Sequence, residues 1–206
     1  MVVVIIDKNM ADKKGKLIVF YGTNNLGKST QAKILIEKLS KENIKSEYLK
    51  YPLYDLEPSG PTLNDYLRNN NPYELTAREA QLIYCLNRTQ YQKNIEEKLE
   101  QGINIIAEDY TGTGIAWGVG AGIDQGFLEK INSHLIKEDV AILFDGERFK
   151  DAIEEGHKHE KDEEFSKKVR QTHLELGNKY NWYKIDANLT IEEISNIIYE
   201  KVIKSL

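Results

Sequence analysis

A run of eight residues near the start of the chain has the glycine spacing of a phosphate-binding loop. Residues 22–29 read GTNNLGKS and fit the pattern G-x-x-x-x-G-K-[ST]. Glycines allow successive backbone N–H groups to converge on phosphate oxygens, and a helix that begins here adds its positive N-terminal dipole. The lysine of the pattern, Lys28, places its charge at the β- and γ-phosphates, and the hydroxyl of Ser29 coordinates Mg²⁺. The motif therefore predicts ATP, with Mg²⁺ as cofactor, bound by Gly22, Asn24, Asn25, Leu26, Gly27, Lys28, Ser29 and Thr30.

The segments on both sides of this loop support the interpretation. The apolar run 17–21 reads as a buried strand, and Ala32, Leu35 and Leu39 recur at helical spacing after the loop. A glycine-rich turn that matches the pattern by chance rarely has both flanks. The chain has no N-K-x-D segment, which disfavours a guanine-specific GTPase.

The rest of the chain alternates short apolar runs with helical patterns, which is typical of an α/β fold with a parallel sheet. Strands are predicted at 17–21, 46–50, 103–107, 140–144 and 182–185, and helices from 27, at 62–67, at 76–100, after 165 and at 191–202. The glycine-rich stretch 112–126 is predicted to be a loop, and 154–164, which has almost no apolar residues, a solvated loop or lid. We therefore expect a three-layer α/β/α domain with five parallel strands and the phosphate-binding loop on the central one.

Composition limits the class of protein. The 206 residues suit one domain, predicted to span 15–206 after an N-terminal extension at 1–14. The net charge of −5 argues against nucleic-acid binding, which needs a basic face. Cys85 is the single cysteine, and we expect its side chain to be buried. A chain that cannot form an internal disulfide suits a reducing compartment. We find neither a secretory signal nor an apolar stretch long enough to span a membrane, so the expected location is the cytoplasm.

Five further stretches follow the phosphate-binding loop in a fixed order. They read EPSG at 57–60 with Leu67 and Arg68 downstream, LIYCLNR at 82–88, EDY at 108–110, AWGVGAGID at 116–124 and HKHEK at 157–161. From Lys16 to the end, this series resembles the thymidylate kinase family of nucleoside monophosphate kinases. The resemblance implies a P-loop kinase fold with a short lid, ATP-dependent phosphorylation of dTMP to dTDP for dTTP biosynthesis, and a homodimer.

The resemblance also implies roles for particular residues. Tyr84 and Arg88 lie four positions apart and so share a helix face. Taken alone, such a pair is more often a core aromatic with a surface arginine, but its place in the series favours a ring that stacks on the base and a guanidinium that reads its carbonyl edge. Further acceptor contacts are expected from Asn24, Pro52, Tyr110, Gly114 and Trp117.

The expected catalytic groups lie near the transferred phosphoryl group. Besides Lys28, they are Glu108 and Asp109 at the end of the third strand and the lid cations Lys158 and Lys161, although a charged loop without a role is the alternative for the lid. Ser29 and Glu108 are the expected metal ligands.

Several arginines of the family pattern are absent from this chain. Asp109 stands where the family has an arginine after the acidic strand end, and Leu56 stands where an arginine precedes the E-P-x-G loop. Lysine cannot reproduce the planar, bidentate fork with which arginine holds a phosphate. Two alternatives therefore remain open. In the first, the protein would be a deoxynucleoside kinase in which Glu108 acts as general base. In the second, it would be a non-catalytic nucleotide-binding protein that keeps only the phosphate-binding loop.

Overall fold

The computed structural model describes residues 14–147 and 163–206. Within them the chain forms five strands and seven helices, whose bounds in chain order are β1 (Leu17–Tyr21), α1 (Lys28–Lys41), β2 (Ser46–Lys50), α2 (Ser59–Arg68), α3 (Ala77–Glu100), β3 (Asn104–Glu108), α4 (Thr111–Gly120), α5 (Gln125–Asn132), β4 (Val140–Asp145), α6 (Glu163–Tyr180), β5 (Tyr183–Asp186) and α7 (Ile191–Ile203). No helix in this part of the chain has the length and apolar character needed to cross a bilayer.

The five strands form one parallel sheet in the order β2-β3-β1-β4-β5. The five residues of β1 are all buried, because this apolar strand lies in the centre with β3 and β4 on its two sides. The phosphate-binding loop leaves the carboxyl end of β1, at the edge of a parallel sheet where ligands bind. The predicted fold, with its parallel sheet and the loop on the central strand, is confirmed.

Helices cover both faces of the sheet, and the alternation of side chains along β1 supplies a core to each. Ile18 and Phe20 pack with apolar residues of α1 and α7. Leu17, Val19 and Tyr21 point the other way and pack with residues of α3, α4 and α6. The result is the predicted three-layer arrangement.

The prediction of a loop at 112–126 is wrong for most of this stretch, because residues 112–120 belong to α4 and residues 125–126 begin α5. Only residues 121–124 connect the two helices. Its glycines serve close packing: a Cβ on Gly112 would lie 2.3 Å from the ring of Trp182, and one on Gly118 would lie 2.6 Å from Leu128. Packing against these neighbours outweighs the modest cost of glycine in a helix.

The prediction that Cys85 is buried is confirmed, since it lies buried within α3. Thr190 and Glu193 form the reciprocal hydrogen bonds of a capping box at the start of α7. Residues 1–13 of the predicted extension and 154–162 of the predicted lid lie outside the described residues, so the proposed domain limits stay predictions.

Candidate active site

The loop between β1 and α1 presents a helix N-terminus to the sheet edge. Gly22, Asn25 and Gly27 have positive φ angles of 130°, 64° and 79°, so the backbone curls before the helix begins. A side chain at Gly22 would place its Cβ 2.5 Å from the carbonyl oxygen of Phe144. Gly27 caps α1 without a side-chain hydrogen bond, which leaves the first N–H groups of the helix available to an anion.

Lys28 is held inside this loop. It is 5% exposed, and its Nζ donates hydrogen bonds to the carbonyl oxygens of Gly22 at 3.0 Å and Thr23 at 2.8 Å. Its Nζ also lies 3.6 Å from Oδ1 of Asp109. The cation is therefore already desolvated and positioned at the place where a triphosphate would meet the loop.

Glu108, at the end of β3, is a buried carboxylate with a partner on each oxygen. Ser29 Oγ donates to Oε2 at 3.1 Å, and the phenol of Tyr48 donates to Oε1 at 2.5 Å. Nζ of Lys50 lies 3.9 Å from Oε2. These contacts fix the carboxylate at 1% exposure, next to the first turn of α1.

Tyr48 and Lys50 had no role in the sequence interpretation. Lys50 is paired with Glu108 in the register of β2 and β3, and alternation along β2 puts Tyr48 on the same face as Lys50. A prediction that β2 lies beside β3 would have brought both residues to Glu108. That adjacency was the missing signal.

The oxygens of Ser29 and Glu108 suit Mg²⁺. This ion is usually held by one or two protein oxygens, by substrate phosphates and by water. The hydroxyl and the carboxylate lie within hydrogen-bonding distance of each other, beside the loop that would hold the phosphates. Among the described residues no group of three or more His, Cys, Asp or Glu side chains forms a metal-binding cluster.

Asp109 follows Glu108 in a left-handed conformation, with a φ angle of 61°. Its backbone N–H donates to the carbonyl oxygen of Phe20 at 3.3 Å, and its carboxylate accepts a hydrogen bond of 3.4 Å from the hydroxyl of Thr113. This geometry directs the carboxylate towards Lys28. Asp109 thus lines the site in the place of the family's arginine, with the opposite charge.

A cleft of about 530 Å³ joins this region to a slot between α3 and α4. One wall of the slot is a stripe along α3, formed by Ala77, Gln81, Tyr84 and Arg88, whose spacing of three and four keeps them on one helix face. Trp117 of α4 lines the opposite side, and its ring lies 5.4 Å from that of Phe165. Aromatic rings therefore form part of the lining of the slot.

Arg88 lies at the inner end of the slot, 2% exposed. Its Nε donates to Oδ1 of Asn132 at 3.2 Å, while Nη2 has no hydrogen-bond partner among the described residues. Burial lowers the pKa of its guanidinium. Gly114 makes room for it, because a Cβ there would lie 2.7 Å from Nη2. A buried donor with a free N–H is suited to a neutral acceptor such as a base carbonyl.

The loop that connects β2 to α2 is anchored by Asn87, a fully buried residue of α3. Its carboxamide accepts from the N–H of Leu53 at 2.9 Å and donates to the carbonyl of Leu53 and to the hydroxyl of Ser59, both at 2.9 Å. Pro52 and Tyr54 of this loop line the cleft. The sequence contained Asn87 within a recognised stretch but gave no signal for this role.

The structure brings most of the predicted site residues together. Those that line the cleft are Asn24, Asn25, Leu26, Gly27, Lys28, Ser29, Thr30, Pro52, Tyr84, Arg88, Glu108, Asp109, Gly114 and Trp117. Gly22 contributes its carbonyl to Lys28. Lys158 and Lys161 lie outside the described residues.

Tyr110 does not belong to the group of residues that line the cleft, so the prediction that it contacts the acceptor needs correction. It is fully buried, its phenol donates to the carbonyl of Ile136 at 3.1 Å, and its ring packs against Tyr51. The reason is local. Tyr110 follows the left-handed turn at Asp109 and caps α4, and its side chain enters the core.

Buried polar atoms without partners concentrate in this cleft. Nine such atoms occur among the described residues, and five belong to residues that line the cleft: Asn25 Nδ2, Gln31 Oε1, Tyr51 OH, Gln81 Oε1 and Arg88 Nη2. Buried polar groups are rarely left unpaired in folded proteins. Their concentration here indicates that the cleft is built for a polar ligand.

Comparisons with known proteins agree with this geometry. The family model described as thymidylate kinase matches residues 20–198. The thymidylate kinase of Plasmodium falciparum is 29% identical over 195 residues, covering 93% of this chain and 91% of that protein, and that of Dictyostelium discoideum is 32% identical over 191 residues, covering 90% and 84%. The structure of thymidylate kinase from Candida albicans aligns with a TM-score of 0.77 at 28% identity and covers 93% of both chains. The chain therefore belongs to the thymidylate kinase family.

Proposed function

We propose that this protein transfers the γ-phosphoryl group of ATP to the 5′-phosphate of dTMP, producing dTDP and ADP on the route to dTTP. One observation carries the proposal: a single cleft contains both the phosphate-binding loop and the α3 stripe with Tyr84 and Arg88. Phosphoryl transfer depends mainly on positioning and on charge neutralisation. A cleft that holds both substrates end to end supplies the positioning.

The donor half lies at the N-terminus of α1. Its free N–H groups and the glycine loop receive phosphate oxygens, and Lys28 exchanges the carbonyl oxygens of Gly22 and Thr23 for those of the phosphates. This exchange costs little, because Lys28 is already buried. Ser29 and Glu108 would hold Mg²⁺, which when bound neutralises phosphate charge and orients the donor for in-line attack.

The acceptor half lies between α3 and α4. Tyr84 supplies a face on which a base can stack, with Trp117 lining the opposite side of the slot. Arg88 directs its unpartnered Nη2 at a carbonyl oxygen of the base. Because a guanidinium only donates, this position favours thymine over cytosine, whose 4-amino group is also a donor.

The cation that neutralises the acceptor phosphate is not an arginine of the family pattern. We assign this role to Lys50, which lines the cleft beside Glu108 and whose side chain is 53% exposed. Lys158 and Lys161 are proposed to add charge from the lid. Asp109 then balances Lys28 when the phosphates are absent, through their contact of 3.6 Å.

We further propose that the protein is a cytoplasmic homodimer. Leu82 and Leu86 lie four residues apart on the outer face of α3 and are 46% and 43% exposed. An exposed pair of large apolar side chains on a long surface helix suits a contact with a second copy. Sedimentation of the wild type and of the Leu82→Glu variant tests this assignment, since a charge at the contact should shift the equilibrium to monomer.

The function is tested by coupled ADP release with dTMP, dUMP, dCMP, thymidine and no acceptor. The expected result is efficient turnover with dTMP, abolished by chelation of divalent metal and restored by Mg²⁺. Turnover with thymidine but not with dTMP would identify a deoxynucleoside kinase instead. ATP binding without turnover on any acceptor would identify a nucleotide-binding protein that is not an enzyme.

A further inference from the structure

Gln81 is a buried carboxamide in the wall of the acceptor slot. It is 6% exposed, lines the cleft, and its Oε1 has no hydrogen-bond partner among the described residues. A buried acceptor that is left unpaired destabilises the folded protein. An apolar side chain of similar shape would avoid that cost, so the carboxamide needs a different explanation.

Another buried amide that faces the cleft shows how this fold satisfies such a group when its role is structural. Asn87 makes three hydrogen bonds with Leu53 and Ser59. Gln81 has no comparable contact on its Oε1, and its surroundings offer space rather than a partner. Its partner is therefore expected to come from a ligand.

The position of Gln81 on α3 relates it to the two residues already assigned to the base. Gln81, Tyr84 and Arg88 share one helix face, and the first and last are separated by about 10 Å along the axis, at 1.5 Å per residue. Side chains on a helix lean towards its N-terminus, so Arg88 extends back towards Tyr84 and Gln81. The slot wall thus offers an unpaired donor and an unpaired acceptor on either side of an aromatic ring.

This arrangement matches the imide edge of a pyrimidine. In thymine and uracil the N3–H donor lies between two carbonyl acceptors, O4 and O2, and it is the only ring N–H left when N1 carries the sugar. Arg88 Nη2 can donate to O4 while Gln81 Oε1 accepts from N3–H. Both unpaired protein groups would then be satisfied by one flat ligand that stacks on Tyr84.

We infer that Gln81 is a base-reading residue that binds N3–H of the acceptor pyrimidine. The inference rests on the proposed function and deepens it. Gln81 provides affinity at N3, whereas Arg88 provides the preference for a carbonyl at position 4. Because a carboxamide can turn and donate instead, Gln81 alone would not reject cytosine.

The experiment compares dTMP with its N3-methyl derivative, which lacks the N3–H donor. Steady-state kinetics and equilibrium binding are measured for the wild type and for Gln81→Met, a substitution that keeps length but removes the acceptor. The wild type should lose about tenfold or more in kcat/KM when N3 is methylated. Gln81→Met should lose about tenfold or more on dTMP, and its preference for dTMP over the N3-methyl compound should shrink by a similar factor.

Several controls separate the possible failures. Gln171→Leu, on the exposed face of α6, should leave both substrates unaffected, and KM for ATP should be unchanged in Gln81→Met. A Gln81→Met enzyme that keeps the full wild-type preference would overturn the inference, because the preference would then be steric. A wild type that accepts the N3-methyl compound as well as dTMP overturns it without any variant. A wild type inactive on dTMP would contradict the proposed function itself.

Discussion

The phenol of Tyr48 on β2 donates a hydrogen bond to the buried carboxylate of Glu108 on β3. Ser29 donates to the other carboxylate oxygen at 3.1 Å. Glu108 is therefore held on one side by the edge strand β2 and on the other by α1. Tyr48 therefore acts as a positioning residue for Glu108.

Replacing Tyr48 with Phe should weaken the binding of Mg²⁺ with ATP. Loss of one hydrogen bond to a charged group corresponds to about 1.5–3 kcal/mol, which predicts an increase of roughly tenfold or more in the Mg²⁺ concentration for half-maximal activity. KM for dTMP should stay near its wild-type value. The measurement is a Mg²⁺ titration of activity, together with direct binding of Mn²⁺ by electron paramagnetic resonance.

Tyr183→Phe is the matched control for this substitution. Tyr183 lies on β5 at the opposite edge of the sheet and is 39% exposed, so the variant should keep the wild-type metal requirement. An unchanged Mg²⁺ titration for Tyr48→Phe would show that Ser29 alone positions Glu108.

Replacing Lys28 with Ala should abolish turnover. This residue is the buried cation at the phosphate-binding loop, and a charge aimed at a transferring phosphoryl group contributes a factor on the order of a hundred to a thousand or more. Coupled ADP release at saturating dTMP measures the loss in kcat, and Lys33→Ala, on the exposed side of α1, is the control. Near-normal turnover in Lys28→Ala would mean that the cradle is misassigned.

Replacing Asn87 with Leu should destabilise the protein and weaken the binding of dTMP, because the loop between β2 and α2 loses its anchor. The change leaves the N–H and the carbonyl of Leu53 without their side-chain partner and removes the donor to the hydroxyl of Ser59. Buried groups left unpaired cost about 1–3 kcal/mol each. Urea denaturation should show that the free energy of unfolding falls by about 2–4 kcal/mol. KM for dTMP should rise more than KM for ATP. Asn196→Leu, at an exposed position of α7, should do neither. A stable Asn87→Leu enzyme with normal KM values would contradict the role of Asn87 as the anchor of the loop.

The sequence specified the donor side well and the acceptor side less completely. The phosphate-binding loop is contiguous, so spacing alone located Gly22 to Ser29, and the apolar runs located the strands. Tyr48 and Asn87 act across elements, and their roles depend on which strand lies beside which. The error at 112–126 has a related cause. In a sequence, a run of glycines indicates a loop. Only the structure shows that a glycine such as Gly112 is needed because the ring of Trp182 packs against it.

The last prediction concerns His173, a fully buried imidazole on α6. Its Nδ1 is 3.0 Å from the carbonyl oxygen of Val169, and its Nε2 has no partner among the described residues. Its pKa is lowered from 6.5 to about 4, chiefly by burial; the charge of Lys28 acts in the same direction, while the hydrogen bond to Val169 and the charge of Asp109 oppose the shift. The imidazole is therefore neutral in the folded protein at neutral pH.

A depressed histidine pKa makes the folded state lose stability as the pH falls. This histidine binds a proton near pH 6.5 in the unfolded chain and only near pH 4 in the folded chain. The stability that depends on its neutral form is therefore fully present above pH 6.5 and is lost as the pH falls from 6.5 to 4. Between pH 7.5 and pH 5 the loss should be about 2 kcal/mol. Urea denaturation at pH 7.5 and pH 5 measures this loss in the free energy of unfolding. In His173→Phe the loss should be smaller by about 2 kcal/mol. In the control His134→Gln, at an exposed position, the loss should equal that of the wild type. An equal acid-induced loss in His173→Phe would assign the pH dependence to other groups.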